Sequence, residues 1–201
     1  RYYYFSKLND SMEDIDLNLE DFILKVNSDL VGKFINIPSR TSSFIKKYFN
    51  NTIVPTEEIS IEGSKQIVDD LIEIKDEVIS LYEARLFSKL NRLLMSYTEK
   101  VNEYVNRLEP WILAKNDAEH KPMSQLHQVC STALQAFRVL SIYYSPVMPD
   151  LTSKIAEFYG ETNYQSLDII HKNIKNISDY KHLLTRLDKV AIDSMLSQNS
   201  S

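Results

Sequence analysis

Apolar residues return at three- and four-residue intervals through most of this chain, and that spacing restricts its fold more than any other feature. Phe22, Val26, Leu30, Phe34 and Ile37 form one such series. Ile67, Leu71, Ile74 and Val78 form a second, and Leu90, Leu94, Tyr97, Val101 and Tyr104 a third. A fourth, strongly apolar series runs through Leu126, Val129, Leu134, Phe137 and Leu140. Each places a hydrophobic stripe along one side of an α-helix. A β-rich alternative would need many turn residues, yet the 201 residues include 3 glycines and 6 prolines. The spacing therefore predicts an all-α helical bundle with antiparallel neighbours, large enough to bury a substantial core.

Punctuation residues divide the pattern. A short aromatic helix is expected over 2–8, followed by an acidic connector over 11–16. Asn18 is placed to cap a long helix running toward Phe49, with Glu20 and Asp21 in the first turn suiting its dipole. Asn50, Asn51 and Pro55 end it. Further helices are expected over 64–83, 86–108 and 124–144. Pro110 stops the second of these; 111–115 makes one turn, and 116–122 a polar loop. Pro146 and Pro149 break the third. A shorter helix over 150–159 stops at Gly160. Residues 161–181 read as irregular, and 183–196 as a last helix. On this basis 1–160 is expected to be the bundle, and 161–201 a C-terminal segment packing on it.

The chemistry the chain lacks is informative. Glycine-rich phosphate loops, the G-x-S-x-G elbow and the H-E-x-x-H helix are absent. His120, His127, His171 and His182 are scattered without metal-ligand spacing. Acidic pairs such as Asp69–Asp70 are helix neighbours whose side chains diverge. Cys130, the single cysteine, sits among apolar residues and reads as a buried, inert thiol. No metal, cofactor or catalytic residue is therefore assigned. With no membrane-length apolar run or signal peptide, a reducing, cytoplasmic setting is expected. The chain opens at Arg1 without an initiator methionine and is expected to belong to something longer.

A net charge of −5 argues against general, salt-driven binding to nucleic acid, DNA included. The charge is uneven, however. Residues 31–56 carry Lys33, Arg40, Lys46 and Lys47 and no acid. In 86–108, Lys89, Arg92, Lys100 and Arg107 outweigh Glu99 and Glu103. The stretch between them is strongly acidic.

Two places have the chemistry to read an unpaired base. Asn36 and Arg40 are four apart and share a helix face. An amide offers a donor and an acceptor, and a guanidinium a fork of donors. Pro38 between them leaves the Phe34 carbonyl without its helical partner and should kink the helix. The kink either shapes the helix for a ligand or bends it around the core. In Glu109-Pro110-Trp111, the proline ends one helix and holds the only tryptophan at a bundle end. That indole is either a stacking platform for a base or a core plug.

These places also carry a resemblance. The chain is similar to the C-terminal, anticodon-binding region of bacterial-type methionyl-tRNA synthetases. The likeness runs in order through RYYY at 1–4, DIDLNLEDF at 14–22, NSDLVGK at 27–33 and Asn36-x-x-x-Arg40. It continues through EPWxxxK at 109–115, FRVL at 137–140, PVMP at 146–149 and LTRLD at 184–188. Each motif is short; their ordered combination is specific.

The resemblance implies a role for each matching residue. Trp111 would stack on the first anticodon base, a cytosine in methionine tRNAs, in a pose set by Pro110. Asn36 and Arg40 would hydrogen-bond the first anticodon bases. Arg186, in the late motif, would fix the loop or return the chain toward a catalytic domain. Lys33 and Arg107 would meet phosphates, a reading from charge alone.

The partners implied are the anticodon loop of tRNA(Met) and the parent's own catalytic domain. The two ATP-site signatures and the cysteine-bearing zinc insertion of the family are absent; they would precede Arg1. The parent would be a methionine–tRNA ligase using ATP, and this chain alone would be inactive. Gly32 replaces a polar residue of some members, which implies one base contact fewer, and Pro38 is not a residue the motif requires. The anticodon domain of another class I synthetase and a helical protein-interaction module remain as alternatives.

Overall fold

A computed structural model describes residues 1–8, 16–116, 120–164, 166–190 and 192 of the chain. Most of the acidic connector and part of the 116–122 loop lie outside these residues. Among the described residues nine α-helices form and no β-strand. They are α1 (Tyr2–Lys7), α2 (Leu19–Lys25), α3 (Asn36–Phe49), α4 (Ser64–Glu73) and α5 (Lys75–Glu83). α6 (Phe87–Leu108), α7 (Pro110–Asn116), α8 (Gln125–Tyr144) and α9 (Pro149–Phe158) complete the set. The all-α expectation holds.

α8 is the axis of the bundle. It is buried from Leu126 to Tyr144, and α3, α4, α6, α7 and α9 all pack on it. A helix buried on every side lies inside the bundle. Its buried polar residues are hydrogen-bonded, as their desolvation requires. Ser131 accepts from the Val54 backbone N–H at 2.9 Å, and Gln135 donates to the Ile174 carbonyl at 2.9 Å. Ser124 caps the helix by accepting from the His127 N–H. Cys130 lies fully buried in the helix, and burial pushes its thiol far above its usual range.

His127, also buried, stacks on Phe49 with ring centroids 4.1 Å apart. Its Nδ1 faces the Met123 backbone N–H at 3.1 Å, and its Nε2 the Thr52 carbonyl at 2.8 Å. One tautomer satisfies both contacts: Nε2 protonated and donating, Nδ1 bare and accepting. Burial holds the imidazole below its ordinary pKa, the Thr52 contact opposing only in part. The unfolded chain then binds the proton more readily than the folded one. Stability linked to His127 is complete above about pH 6.5, the ordinary histidine value, and declines as pH falls below it. Urea melts should show His127→Asn losing less stability than the native chain between pH 7.5 and 5.5. Equal losses would contradict the assignment.

The long first helix departs from expectation. Asn18 caps α2 as anticipated, its side chain accepting from the Asp21 N–H at 3.0 Å. The helix then widens into a π-helix over Val26–Phe34, turns at Ile35, and resumes as α3. Bonds such as Ile35 N–H to Leu30 carbonyl, 2.7 Å, skip five residues instead of four. A Cβ at Gly32 would come within 3.1 Å of the Asn27 carbonyl, so the wide turn favours glycine there. Pro38 thus sits inside the first turn of a new helix, where a missing N–H is tolerated. In place of the expected kink at Pro38, the helix changes register just before it.

Two further expectations hold only in part. The helix over 64–83 breaks at Ile74 into α4 and α5. The last helix starts later than expected: residues 183–188 are not helical, whereas 189, 190 and 192 are, and beyond residue 190 the structure describes residue 192 alone. Within 183–188 the Leu187 N–H donates to Asn27 Oδ1 at 2.7 Å, and Asn27 Nδ2 returns a bond to the Leu187 carbonyl at 2.9 Å. An asparagine amide has paired with this peptide in place of an intrahelical bond.

That pairing belongs to a longer course. Asp179 bonds Lys46 and Asn51, Tyr180 meets Ser39, Leu187 meets Asn27, and Lys189 meets Glu20. The segment therefore runs back along α3, the π-helix and α2. Its upstream end is tied to α8 through Arg138, whose Nε and Nη2 reach Glu161 at 2.7 and 2.8 Å.

Candidate nucleic-acid interface

Three elements meet where the sequence places its candidate residues. α6 ends at Leu108 because Glu109 takes a left-handed conformation, φ 43°, and Pro110 has no N–H to continue the ladder. Pro110 is buried and starts α7; Trp111 follows, half-buried against the edge of the core. Facing it from α3, the Arg40 guanidinium stands over the indole, 4.7 Å from the ring. A cation at that distance over tryptophan is held by the ring quadrupole, worth about 0.5–1 kcal/mol at exposed sites. Residues 71 positions apart are thus brought together (111 − 40 = 71).

Asn36, one turn before Arg40, is also half-buried. Its Nδ2 donates to Asn102 Oδ1 on α6 at 3.1 Å. Asn102 Nδ2 donates in turn to the carbonyls of Lys33, 2.9 Å, and Thr98, 3.0 Å. Lys33 itself pairs with Glu99, Nζ to Oε1 2.6 Å, an exposed bridge worth at most about 1 kcal/mol. The carboxylate raises the Lys33 pKa, so the ammonium stays charged. Arg107 is exposed in the last turn of α6. Arg186 is exposed too, but its neighbour Leu187 pairs with Asn27, nine residues before Asn36 (36 − 27 = 9). The structure therefore unites Asn36, Arg40, Pro110 and Trp111 and puts Lys33 beside them. Among the described residues Arg186 makes no hydrogen bond or ion pair with that cluster.

Sequence reasoning missed Asn102 and Glu99. A signal existed for Asn102: with Thr98 it sets two polar residues four apart beside the apolar stripe of α6. Nothing comparable marked Glu99.

Among the described residues, no cluster of His, Cys, Asp and Glu is placed to hold a metal ion. No helix there is long and apolar enough to cross a membrane. The arrangement offers stacking and hydrogen bonding.

No family model matches the chain. Full-length comparison is more informative. The methionine–tRNA ligase of Ralstonia nicotianae is 40% identical over 201 residues, 99% of this chain and 28% of that protein. The enzyme of Thiobacillus denitrificans is 41% identical over 200 residues, again 99% of this chain and 28% of the relative. Along nearly its whole length the chain is similar to one segment of methionine–tRNA ligases. It spans little more than a quarter of the length of these ligases.

Solved structures agree on the fold. The apo crystal structure of Mycobacterium tuberculosis methionyl-tRNA synthetase superimposes with a TM-score of 0.80 at 16% identity. It covers 93% of this chain and 38% of that one. The chain thus forms a helical domain whose polar cluster lies at the junction of α3, α6 and α7.

Proposed function

We propose that this segment binds the anticodon loop of methionine tRNA, reading the CAU anticodon with the cluster around Trp111. The observation that carries the proposal is the Arg40–Trp111 stack with Asn36 one turn away. A flat ring, a fork of donors and an amide are grouped on one face, the equipment that single-stranded RNA recognition uses. Methionine–tRNA ligase relatives supply the substrate class. On this reading Trp111 stacks on the first base, Pro110 holds its backbone, and Arg40 and Asn36 bond base edges. Lys33 and Arg107 attract the phosphate backbone. Arg186, in the segment that runs back along α3, the π-helix and α2, fixes the loop or returns the chain toward a catalytic domain. Activation of methionine, with ATP and zinc, belongs to the remainder of a full-length ligase, which this domain would orient on its tRNA.

Arg40→Ala tests the reading. It should weaken binding to a CAU stem-loop by about 1–3 kcal/mol, the worth of a good base contact. It should also narrow the preference over a loop with a changed first base. Equal losses on every loop would reduce Arg40 to a phosphate anchor. A loss of binding restricted to peptides, with none to RNA, would favour a protein-interaction module.

A further inference from the structure

We propose that Asn102 is a positioning residue: it fixes which end of the Asn36 amide faces the ligand, and so selects a base bearing an exocyclic amino group. The proposal rests on the anticodon reading and adds a source for its specificity.

The Lys33 carbonyl lies in the last turn of the π-helix. Asn102 Nδ2, on α6, donates to it at 2.9 Å. The same nitrogen bonds the Thr98 carbonyl at 3.0 Å. Only the NH₂ end of an amide can sit between two carbonyl oxygens, so the orientation of Asn102 is determined by its surroundings. Its oxygen is then the atom that faces Asn36. An oxygen accepts only, so Asn36 must present its own NH₂ group, at 3.1 Å. What remains of the Asn36 amide, Oδ1, is an acceptor with no hydrogen bond among the described residues.

One turn along, Arg40 offers donors only. An acceptor followed by donors complements the Watson–Crick edge of cytosine, which carries an amino donor beside two acceptors. Uracil carries an acceptor where cytosine has the amino group and an N–H where cytosine has a bare nitrogen. It would set oxygen against oxygen and N–H against guanidinium. A freely turning Asn36 would serve both bases; one held by Asn102 rejects uracil.

Two substitutions in the full 201-residue chain separate polarity from anchoring. Asn102→Leu removes every bond to Asn36, Lys33 and Thr98. Asn102→Asp gives up the bonds to the two carbonyls yet offers only acceptors to Asn36 in any orientation. Binding of stem-loops presenting CAU and UAU is measured for each, with circular dichroism as a check on helicity. The native chain is expected to prefer CAU. Asn102→Leu should lose about tenfold of that preference, the scale of one good base contact, while Asn102→Asp keeps it despite a lower melting temperature. A preference unchanged in Asn102→Leu, or lost equally in Asn102→Asp, would overturn the role given to Asn102 and leave the anticodon reading intact. A native chain that binds both loops alike would overturn the reading itself, and the polarity argument with it.

Discussion

Replacing Glu161 by alanine should destabilise the fold by about 3–5 kcal/mol, the usual result of stranding one member of a buried ion pair. Arg138 lies on α8 with 1% of its side chain exposed, and Glu161 has 7%. The pair is bidentate, and the remaining guanidinium donors reach the carbonyls of Ile169 and Lys172 at 3.0 and 3.2 Å. Without Glu161 those carbonyls remain, but the positive charge is left buried beside neutral groups. A loss of that size is a large share of the roughly 5–15 kcal/mol available to a domain. Replacing both partners with methionine should cost far less, because no charge is then stranded. Urea melts followed by circular dichroism measure both. A single-variant loss below about 1 kcal/mol, inside the range of an exposed pair, would show that the pair is hydrated in solution. Because Glu161 opens the segment whose later part lies along α3, its loss should also loosen that later part beside Ser39 and Asn27.

The second large effect concerns binding. Trp111→Ala should weaken the CAU loop by about 1–3 kcal/mol for the lost base stacking, with the helical signal retained. Trp111 is half-buried at the edge of the core, so a modest fall in melting temperature should accompany it. Arg40 loses its platform in the same variant, since its guanidinium stands 4.7 Å from the indole. Trp111→Ala and Arg40→Ala should therefore combine to less than the sum of their separate losses, as residues in contact generally do. Strict additivity would mean that the two bind the loop independently. Trp111→Phe keeps a smaller aromatic face and should recover part of the affinity. Collapse of helicity in Trp111→Ala would make the residue a core plug instead.

How much of this was legible in the residues varies with the kind of signal. Helices α6 and α8 were readable nearly to their ends, because long apolar stripes and the stop at Pro110 are local features. The break at Ile74 was not readable. No glycine or proline marks it, and the stripe through Leu71, Ile74 and Val78 continues across it. The π-helix was half-visible. Pro38 announced an interruption, but nothing local says that the preceding turn widens to five-residue bonds, and Gly32 explains it only afterwards. Residues 183–188 carry leucines at helical spacing, yet tertiary pairing of Leu187 with Asn27 outweighs their propensity. The buried Arg138 was legible only as part of a family motif, since its partner lies 23 residues away. The grouping of Arg40 with Trp111 likewise came from the resemblance, not from spacing. Asn102 escaped because its importance depends on the Lys33 carbonyl and the Asn36 amide, which only the fold brings to it.

One titration tests the central reading most directly, because the chain has a single tryptophan. Its fluorescence is excited at the red edge, beyond tyrosine absorption, while a CAU stem-loop is added at low salt. The same titration is repeated with a loop whose first anticodon base is changed. The expected result is saturable quenching by CAU at concentrations where the changed loop has little effect. Equal quenching by both loops would contradict methionine-specific reading at Trp111, and silence with both would contradict an RNA-binding role for this face.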